Sequence, residues 1–216
     1  MKWLTQKISR SHSDEHVAAY ASDEPTLEVG AYGEPSYGRY FPNRIGVDIR
    51  PGPGVDRVAS VYELPFPDDR FRNVLCMSVL EHLEDPACAI AEMHRVLTPG
   101  GRIIVSVPFL FPIHDAPGDY WRFTKFGLRH LFRDGWHIEK LTAEADMQSS
   151  LAILLQRVAF QTDMRLNKIS KGLFFLTAKA LDRFPRIATR VFGDIRKKVE
   201  EPDAFAGAFF LVASKT

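Results

Sequence analysis

Two cysteines in 216 residues, Cys76 and Cys88, are too few for a disulfide framework, and they lack metal-site spacing. Cys76 falls in an apolar run that predicts a buried strand, and Cys88 in the helical segment after it. Both are expected to be reduced, space-filling residues of a cytosolic protein, where structural disulfides are rare. No apolar run approaches the ~20 residues needed to span a bilayer. The opening MKWLTQKISR is basic without an apolar stretch behind it, so it does not read as a signal peptide. The formal net charge is only +1. It gives no global attraction to nucleic acid or to an acidic partner, and no nucleic acid is expected as a partner. Internal repeats and low-complexity tracts are missing as well.

What remains is an ordinary globular composition, 45% hydrophobic and 25% charged. The length suits one domain with room for an embedded subdomain. Short apolar runs recur at Leu27–Val29, Ile45–Ile49, Val74–Val79 and Ile103–Val107. They are too short for helices and rich in β-branched residues, which fits strands of a parallel sheet buried on both faces. Pro86 to Leu97 predicts a helix, with Ile90, Met93, Val96 and Leu97 at helical spacing and Pro99-Gly100-Gly101 as its stop. Phe126 to Phe132 predicts another helix, Trp136 to Leu141 a strand, and Ala204 to Ala213 a last strand. Strands alternating with helices imply an α/β, doubly wound sheet.

The segments TLEVGAYG, IGVDIR, VYELPFPDDRFRNVLCMSVLEHLEDP and EMHRVLTPGGRIIVSVPF follow one another in that order. This order resembles the class I S-adenosylmethionine-dependent methyltransferases, in particular their small type 11 branch, over roughly residues 26–136. The resemblance implies a Rossmann-like seven-stranded sheet whose last strand is inserted antiparallel. It implies S-adenosylmethionine as cofactor and S-adenosylhomocysteine as product.

Ligands of open parallel sheets sit at the carboxyl ends of the strands. The first strand ends in Glu28-Val29-Gly30-Ala31-Tyr32-Gly33, where Gly30 allows close backbone approach. A helix after it would offer N–H groups to the methionyl carboxylate. The family's glycines, two, four and six residues after the acid, are here Gly30, Tyr32 and Glu34, with Gly33 displaced. Glu34-Pro35-Ser36-Tyr37 looks like a variant of a related branch's Pro-Tyr. A carboxylate at Glu34 and the missing G-x-G-x-x-G disfavour a dinucleotide pyrophosphate but tolerate a sulfonium. Asp48 ends the second strand, where a carboxylate accepts from ribose hydroxyls, and Ile49 would pack on adenine. Ser60-Val61 occupies the loop that clasps the adenine edge, with Ser60 replacing the family's acid. Met77 and Ser78 would lie beside the methionyl part, and His82 is a candidate base. Leu64, Phe66 and Phe71 are expected to be packing.

The stretch from Val107 to Thr124 gathers His114, Asp115, Asp119, Tyr120, Trp121 and Arg122 in one loop. Loops with such mixtures bind ligands. It resembles an H-x-x-P-x-D-[YF]-x-R-[YF]-T segment of small methyltransferases associated with polysaccharide assembly. His114 is the expected general base for a substrate hydroxyl. Asp115, Asp119 and Arg122 are expected to orient substrate, unless Asp119 and Arg122 pair with each other. Tyr120 and Trp121 would wall the pocket. A metal set of His114, Asp115 and Asp119 has only generic spacing, so no metal is expected.

Residues 1–25 read as a loosely attached cap, with a short helix starting near Trp3, Leu4, Lys7 and Ile8. Residues 147–200 read as an insertion of two or three amphipathic helices before the last strand. Their stripes are Leu151, Leu154, Leu155 and Val158, then Leu173, Leu176, Ala180 and Phe184, then Ile187, Val191, Ile195 and Val199. From 151 to 200 eleven Lys/Arg stand against four Asp/Glu. Such a segment suits a lid, a homodimer face or an anionic membrane surface, the last at the inner membrane for a cytoplasmic protein. The methyltransferase domain proper would then be 26–146 with 201–216.

Taken together, the sequence predicts a methyltransferase acting on a hydroxyl of a small-molecule, glycan or glycolipid acceptor. The alternative is a non-catalytic binding or scaffold protein that keeps the fold.

Overall fold

The computed structural model describes residues 5–33, 37–165, 167–184, 186–188 and 190–216. Trp3, Leu4, Glu34, Pro35 and Ser36, on which expectations were placed, lie outside the described residues.

Seven strands form the main sheet: β1 (Thr26–Val29), β2 (Arg44–Asp48), β3 (Arg57–Val58), β4 (Phe71–Met77), β5 (Leu97–Pro108), β6 (Trp136–Ala143) and β9 (Ala208–Lys215). Their order is β3-β2-β1-β4-β5-β9-β6. β1 runs parallel to β2 and β4, pairing Val29 with Val47 and with Cys76. The parallel set continues through β2 with β3 and β4 with β5. β9 enters the other way: Lys215 Nζ donates to Leu97 O at the start of β5, while Phe109 N–H donates to Gly207 O beyond its end. It is antiparallel to β6 as well, with Thr216 N–H on Gly135 O and Glu144 N–H on Ala208 O.

The sheet is doubly covered, which is why its strands read as continuous apolar runs. Leu27, Val74, Leu75, Ile103, Ile104, Val105 and Phe210 are all fully buried. Each such side chain contributes about 1.5–3 kcal/mol relative to its exposed state. Helix α2 (Pro86–Val96) turns Ala89, Ile90, Met93 and Val96 inward. Asp85 caps it by accepting the Cys88 N–H, and Pro86 sits where its missing donor costs nothing. Cys88 is exposed rather than space-filling, because its helix position faces away from that apolar stripe. Pro99-Gly100-Gly101 is not a turn outside the sheet. It lies within β5, at a register shift between the Phe71–Leu97 and Asn73–Arg102 pairs. Helix α3 (Lys125–Leu131) is capped by Thr124, whose hydroxyl accepts the Gly127 N–H.

Among the described residues the helix expected after β1 is absent. Between β1 and β2 the described residues hold only a 3-10 turn, Tyr37–Arg39. Gly38, Pro35 and Pro42 leave no uninterrupted run from which a helix could propagate.

The chain divides into two compact units. One holds the sheet, comprising His16–Pro108, His114–Thr142 and Phe209–Thr216. The other comprises the chain up to Glu15, Phe109–Ile113 and Ala143–Ala208. The second unit is built on α4 (Met147–Gln161) and α5 (Asn167–Arg183), with the front of α1 (Ile8–Ala18). Ile8 packs with Ala152, Ile153 and Ala178, and its N–H donates to Gln156 Oε1. Within the first unit Val17 packs with Phe41 and Phe210. Burial of Ile8 and Val17 makes α1 part of the cores, not a loose cap.

Among its described residues the insertion has two helices. The third apolar stripe is instead a hairpin, β7 (Phe192–Asp194) with β8 (Val199–Glu200). Asp194 Oδ1 accepts the N–H groups of Arg196 and Lys197, an Asx turn that overrides helical spacing. The other two stripes are offset from the buried faces. Ala152, Ile153, Gln156 and Ala159 face inward on α4, and Phe175 and Ala178 on α5, while Leu173, Leu176 and Phe184 are exposed.

Candidate active site

The parallel register places the carboxyl ends of β1, β2 and β4 side by side. Three of the expected site segments meet there. Gly30 has φ +71°, and a Cβ on it would lie 2.3 Å from Val79 Cγ2, so the β1 turn presses directly on the segment after β4. Asp48 binds the β1 turn: its Oδ2 accepts the Tyr32 N–H at 3.2 Å, and its Oδ1 accepts the Arg50 N–H at 3.0 Å. A carboxylate has about four acceptor sites, so each oxygen keeps one for a hydroxyl. Ile49, beside it, is 70% exposed, and Tyr32 is half-exposed under the Arg50 guanidinium. Ala31 and Val61 are buried near this edge, and Ser60 Oγ is engaged by the Tyr62 N–H. Gly33 is likewise left-handed, φ +104°.

Glu28 faces inward and is buried. Arg44 Nε lies 3.1 Å from its Oε2 and Arg44 Nη1 donates to Gly54 O, so this acid fixes the β2–β3 connection.

Met77 ends β4, and Ser78 takes φ +56°, a conformation that costs a non-glycine residue energy and marks functional edges. A 3-10 turn, Leu80–His82, follows. The loop from His114 is docked on this turn. Tyr120 and Trp121 N–H groups both donate to Glu81 O, Trp121 Nε1 to Leu83 O, and Tyr120 Oη to Glu84. Asp119 and Arg122 pair with each other through two short bonds, 2.6 and 2.7 Å. The guanidinium, with the His114 N–H, holds the buried Asp119 carboxyl well below the usual carboxylate range. Asp119 is therefore occupied by the protein, not available to substrate. Asp115 is exposed and left-handed, φ +52°, and does not join it. Tyr120 and Trp121 keep half-exposed rings on the outer wall.

This docking brings His114 against His82, ring centroids 4.9 Å apart and 72° between planes. Beneath them lies Glu81, with both carboxylate oxygens unpartnered by hydrogen bonds among the described residues. Its Oε1 is 3.9 Å from His82 Nε2 and 3.8 Å from His114 Nε2.

Residues 40–105 match the family described as methyltransferase domain. The fold resembles a 1,6-didemethyltoxoflavin N1-methyltransferase of Burkholderia thailandensis, solved with 1,6-didemethyltoxoflavin and S-adenosylhomocysteine. The likeness covers 99% of this chain and 80% of that one, at TM-score 0.57 and 18% identity. The chain has the Rossmann-like fold of the class I methyltransferases, and residues 40–105 match a methyltransferase domain.

Over 64 residues the chain is 49% identical to an uncharacterized methyltransferase of Schizosaccharomyces pombe, covering 30% of this chain and 23% of that protein. Seventy residues are 36% identical to a ubiquinone/menaquinone biosynthesis C-methyltransferase of Psychromonas ingrahamii, covering 32% and 28%. The chain thus spans under a third of the length of these relatives. Sequence reasoning singled out His82 and passed over Glu81 in the methyltransferase domain. The available signal was an acid inside the apolar Val79-Leu80-Glu81-His82-Leu83. Cys76, beside this acid, is no nucleophile: burial first, then the Glu81 charge, pushes its thiol far up.

Proposed function

We propose that this domain transfers the methyl group of S-adenosylmethionine to a small-molecule or glycan acceptor, at a hydroxyl. The observation that carries the reading is the convergence of the β1 turn, Asp48 and the Glu81–His82–His114 cluster on one sheet edge.

The residues present fit the cofactor. Gly30 leaves no side chain between backbone and ligand, Asp48 keeps acceptor sites for ribose hydroxyls, and Ile49 presents uncovered apolar surface for adenine. Ser60, Val61, Met77 and Ser78 complete the rim, with Glu28 acting through Arg44. The sulfonium supplies an already activated methyl group. The chain's own work is to hold the acceptor in line and close, which accounts for most of the rate, and to draw off the hydroxyl proton. We assign that second task to His114 and His82 over Glu81. Tyr120 and Trp121 wall the acceptor site, while Asp119 and Arg122 position the loop. One relative is named a C-methyltransferase; two partly buried histidines beside the Glu81 carboxylate favour a hydroxyl here.

The exposed stripe Ile169, Leu173 and Leu176 on α5, beside Lys168, Lys171 and Lys179, supports contact with an anionic membrane surface. That would suit a lipid-linked acceptor.

Calorimetric titration with S-adenosylhomocysteine tests the reading. Micromolar binding, lost in Asp48→Ala and not seen with NAD, is the expected result. No binding would favour the scaffold alternative.

A further inference from the structure

We propose that Glu81, His82 and His114 bind a divalent transition-metal ion of the zinc class, which takes the acceptor oxygen as a further ligand. The proposal rests on the acceptor placement above.

His82 Nδ1 lies 2.7 Å from the carbonyl oxygen of Gly118, which can only accept, so this nitrogen carries the hydrogen. His114 Nδ1 lies 3.3 Å from Asp119 Oδ2, so a hydrogen on Nδ1 would face a carboxylate. In neutral rings with the hydrogen on Nδ1, Nε2 is a lone-pair acceptor. Both Nε2 atoms face a third acceptor, Glu81, whose side chain is 0% exposed and meets no hydrogen-bond donor among the described residues. A buried carboxylate without a hydrogen-bond donor is costly. A cation between it and the two rings removes that penalty.

Distance separates a metal ion from a shared proton. An imidazolium bonded to a carboxylate closes to about 2.7–2.9 Å. The observed gaps are 3.8 and 3.9 Å. Two ligands about 2.1 Å from one ion stand about 3.4 Å apart at the tetrahedral angle and at most about 4.2 Å apart. All three ligand atoms lie within 4.8 Å of one another, so a shift of some tenths of an ångström closes the set. The surroundings match those of metal-ligating histidines. One ring bonds a backbone carbonyl through its second nitrogen, and the other has its second nitrogen 3.3 Å from a carboxylate oxygen. Two imidazoles with one carboxylate suit zinc, iron(II), cobalt or nickel, whereas magnesium and calcium take oxygen ligands. Three protein ligands leave a position open, as in catalytic sites. With both ring lone pairs on the ion, the two histidines act by holding it rather than as bases, and an acceptor hydroxyl bound there loses its proton to water more readily. Its oxygen then forms the bond to the methyl carbon as the carbon–sulfur bond breaks.

The test uses untagged full-length protein, loaded with zinc, dialysed and analysed by elemental mass spectrometry, with calorimetric titration of zinc and magnesium. Wild type should retain about one zinc per chain and bind zinc far more tightly than magnesium. Glu81→Gln, His82→Ala and His114→Ala should each weaken zinc at least about ten-fold, and Asp119→Asn by about 10–100-fold. His130→Ala, removing an exposed histidine of α3, should change nothing. Circular dichroism in EDTA identifies any variant that fails to fold, and the remaining variants then decide. No retained zinc in wild type, or equal affinity in the Glu81→Gln, His82→Ala and His130→Ala proteins, overturns the proposal. S-adenosylhomocysteine titration of the same samples separates the two readings. Cofactor binding without zinc leaves the methyl-transfer reading standing and sinks this one. Zinc without cofactor binding does the reverse.

Discussion

The backbone N–H of Tyr120 donates to the carbonyl oxygen of Glu81 at 2.8 Å. This bond ties the loop after β5 to the turn after β4, and it is the reason His114 comes to rest beside His82. Residues 32 positions apart in the chain become one cluster through that contact.

The loop's rigidity depends on Arg122. Arg122→Ala would leave Asp119, 1% exposed, without its two charge-assisted bonds. A loss of about 2 kcal/mol is expected in urea unfolding. Arg122→Lys should recover less than half of it, since an ammonium cannot match the bidentate fork.

Gly30→Ala places a Cβ against Val79 and forces a left-handed alanine. We expect a loss of about 2–4 kcal/mol in stability, from overpacking of about 1–3 kcal/mol and backbone strain of about 1–2 kcal/mol. Adding Val79→Ala should relieve the first part only. Thermal unfolding of the single and double variants measures the split.

Acid stability should depend on Glu92. The Arg95 side chain bonds to it twice, and the Leu64 N–H adds a third bond, holding its carboxyl below the ordinary value despite partial burial. A carboxyl depressed in the folded state stabilises the fold above its unfolded pKa, about 4.3 for glutamate. That contribution is lost as pH falls from there through the folded value. Urea midpoints between pH 7 and pH 3 should fall more steeply for wild type than for Glu92→Gln, which is weaker at pH 7.

Vesicle sedimentation checks the membrane reading. Wild type should pellet with anionic phosphatidylglycerol vesicles at low salt, less so at high salt, and not with neutral ones. Leu173→Glu with Leu176→Glu should abolish pelleting without a change in thermal unfolding. Equal pelleting by that variant would remove this element of the proposal.

By itself the sequence determined the sheet. β-Branched runs such as Ile103-Ile104-Val105 can be satisfied only by burial on both faces, so strands were legible wherever such runs ended in Gly or an acid. Asp48 and Gly30 followed, because strand ends in a parallel sheet are fixed by topology. Helix α2 was legible from its cap and spacing. Tertiary structure decided what local periodicity could not. The spacing of Ile187, Val191, Ile195 and Val199 is helical, yet the Asx turn at Asp194 folds the last two strands of that stretch into a hairpin. Leu173 and Leu176 share a helix face that is apolar, but the close packing of α4 on α5 runs through the smaller Ala152 and Ala178. Above all, Glu81 gained its meaning from a residue 33 positions away. A buried acid reads as an isolated charge in the sequence; only the docked loop brings a second imidazole to it beside that of His82.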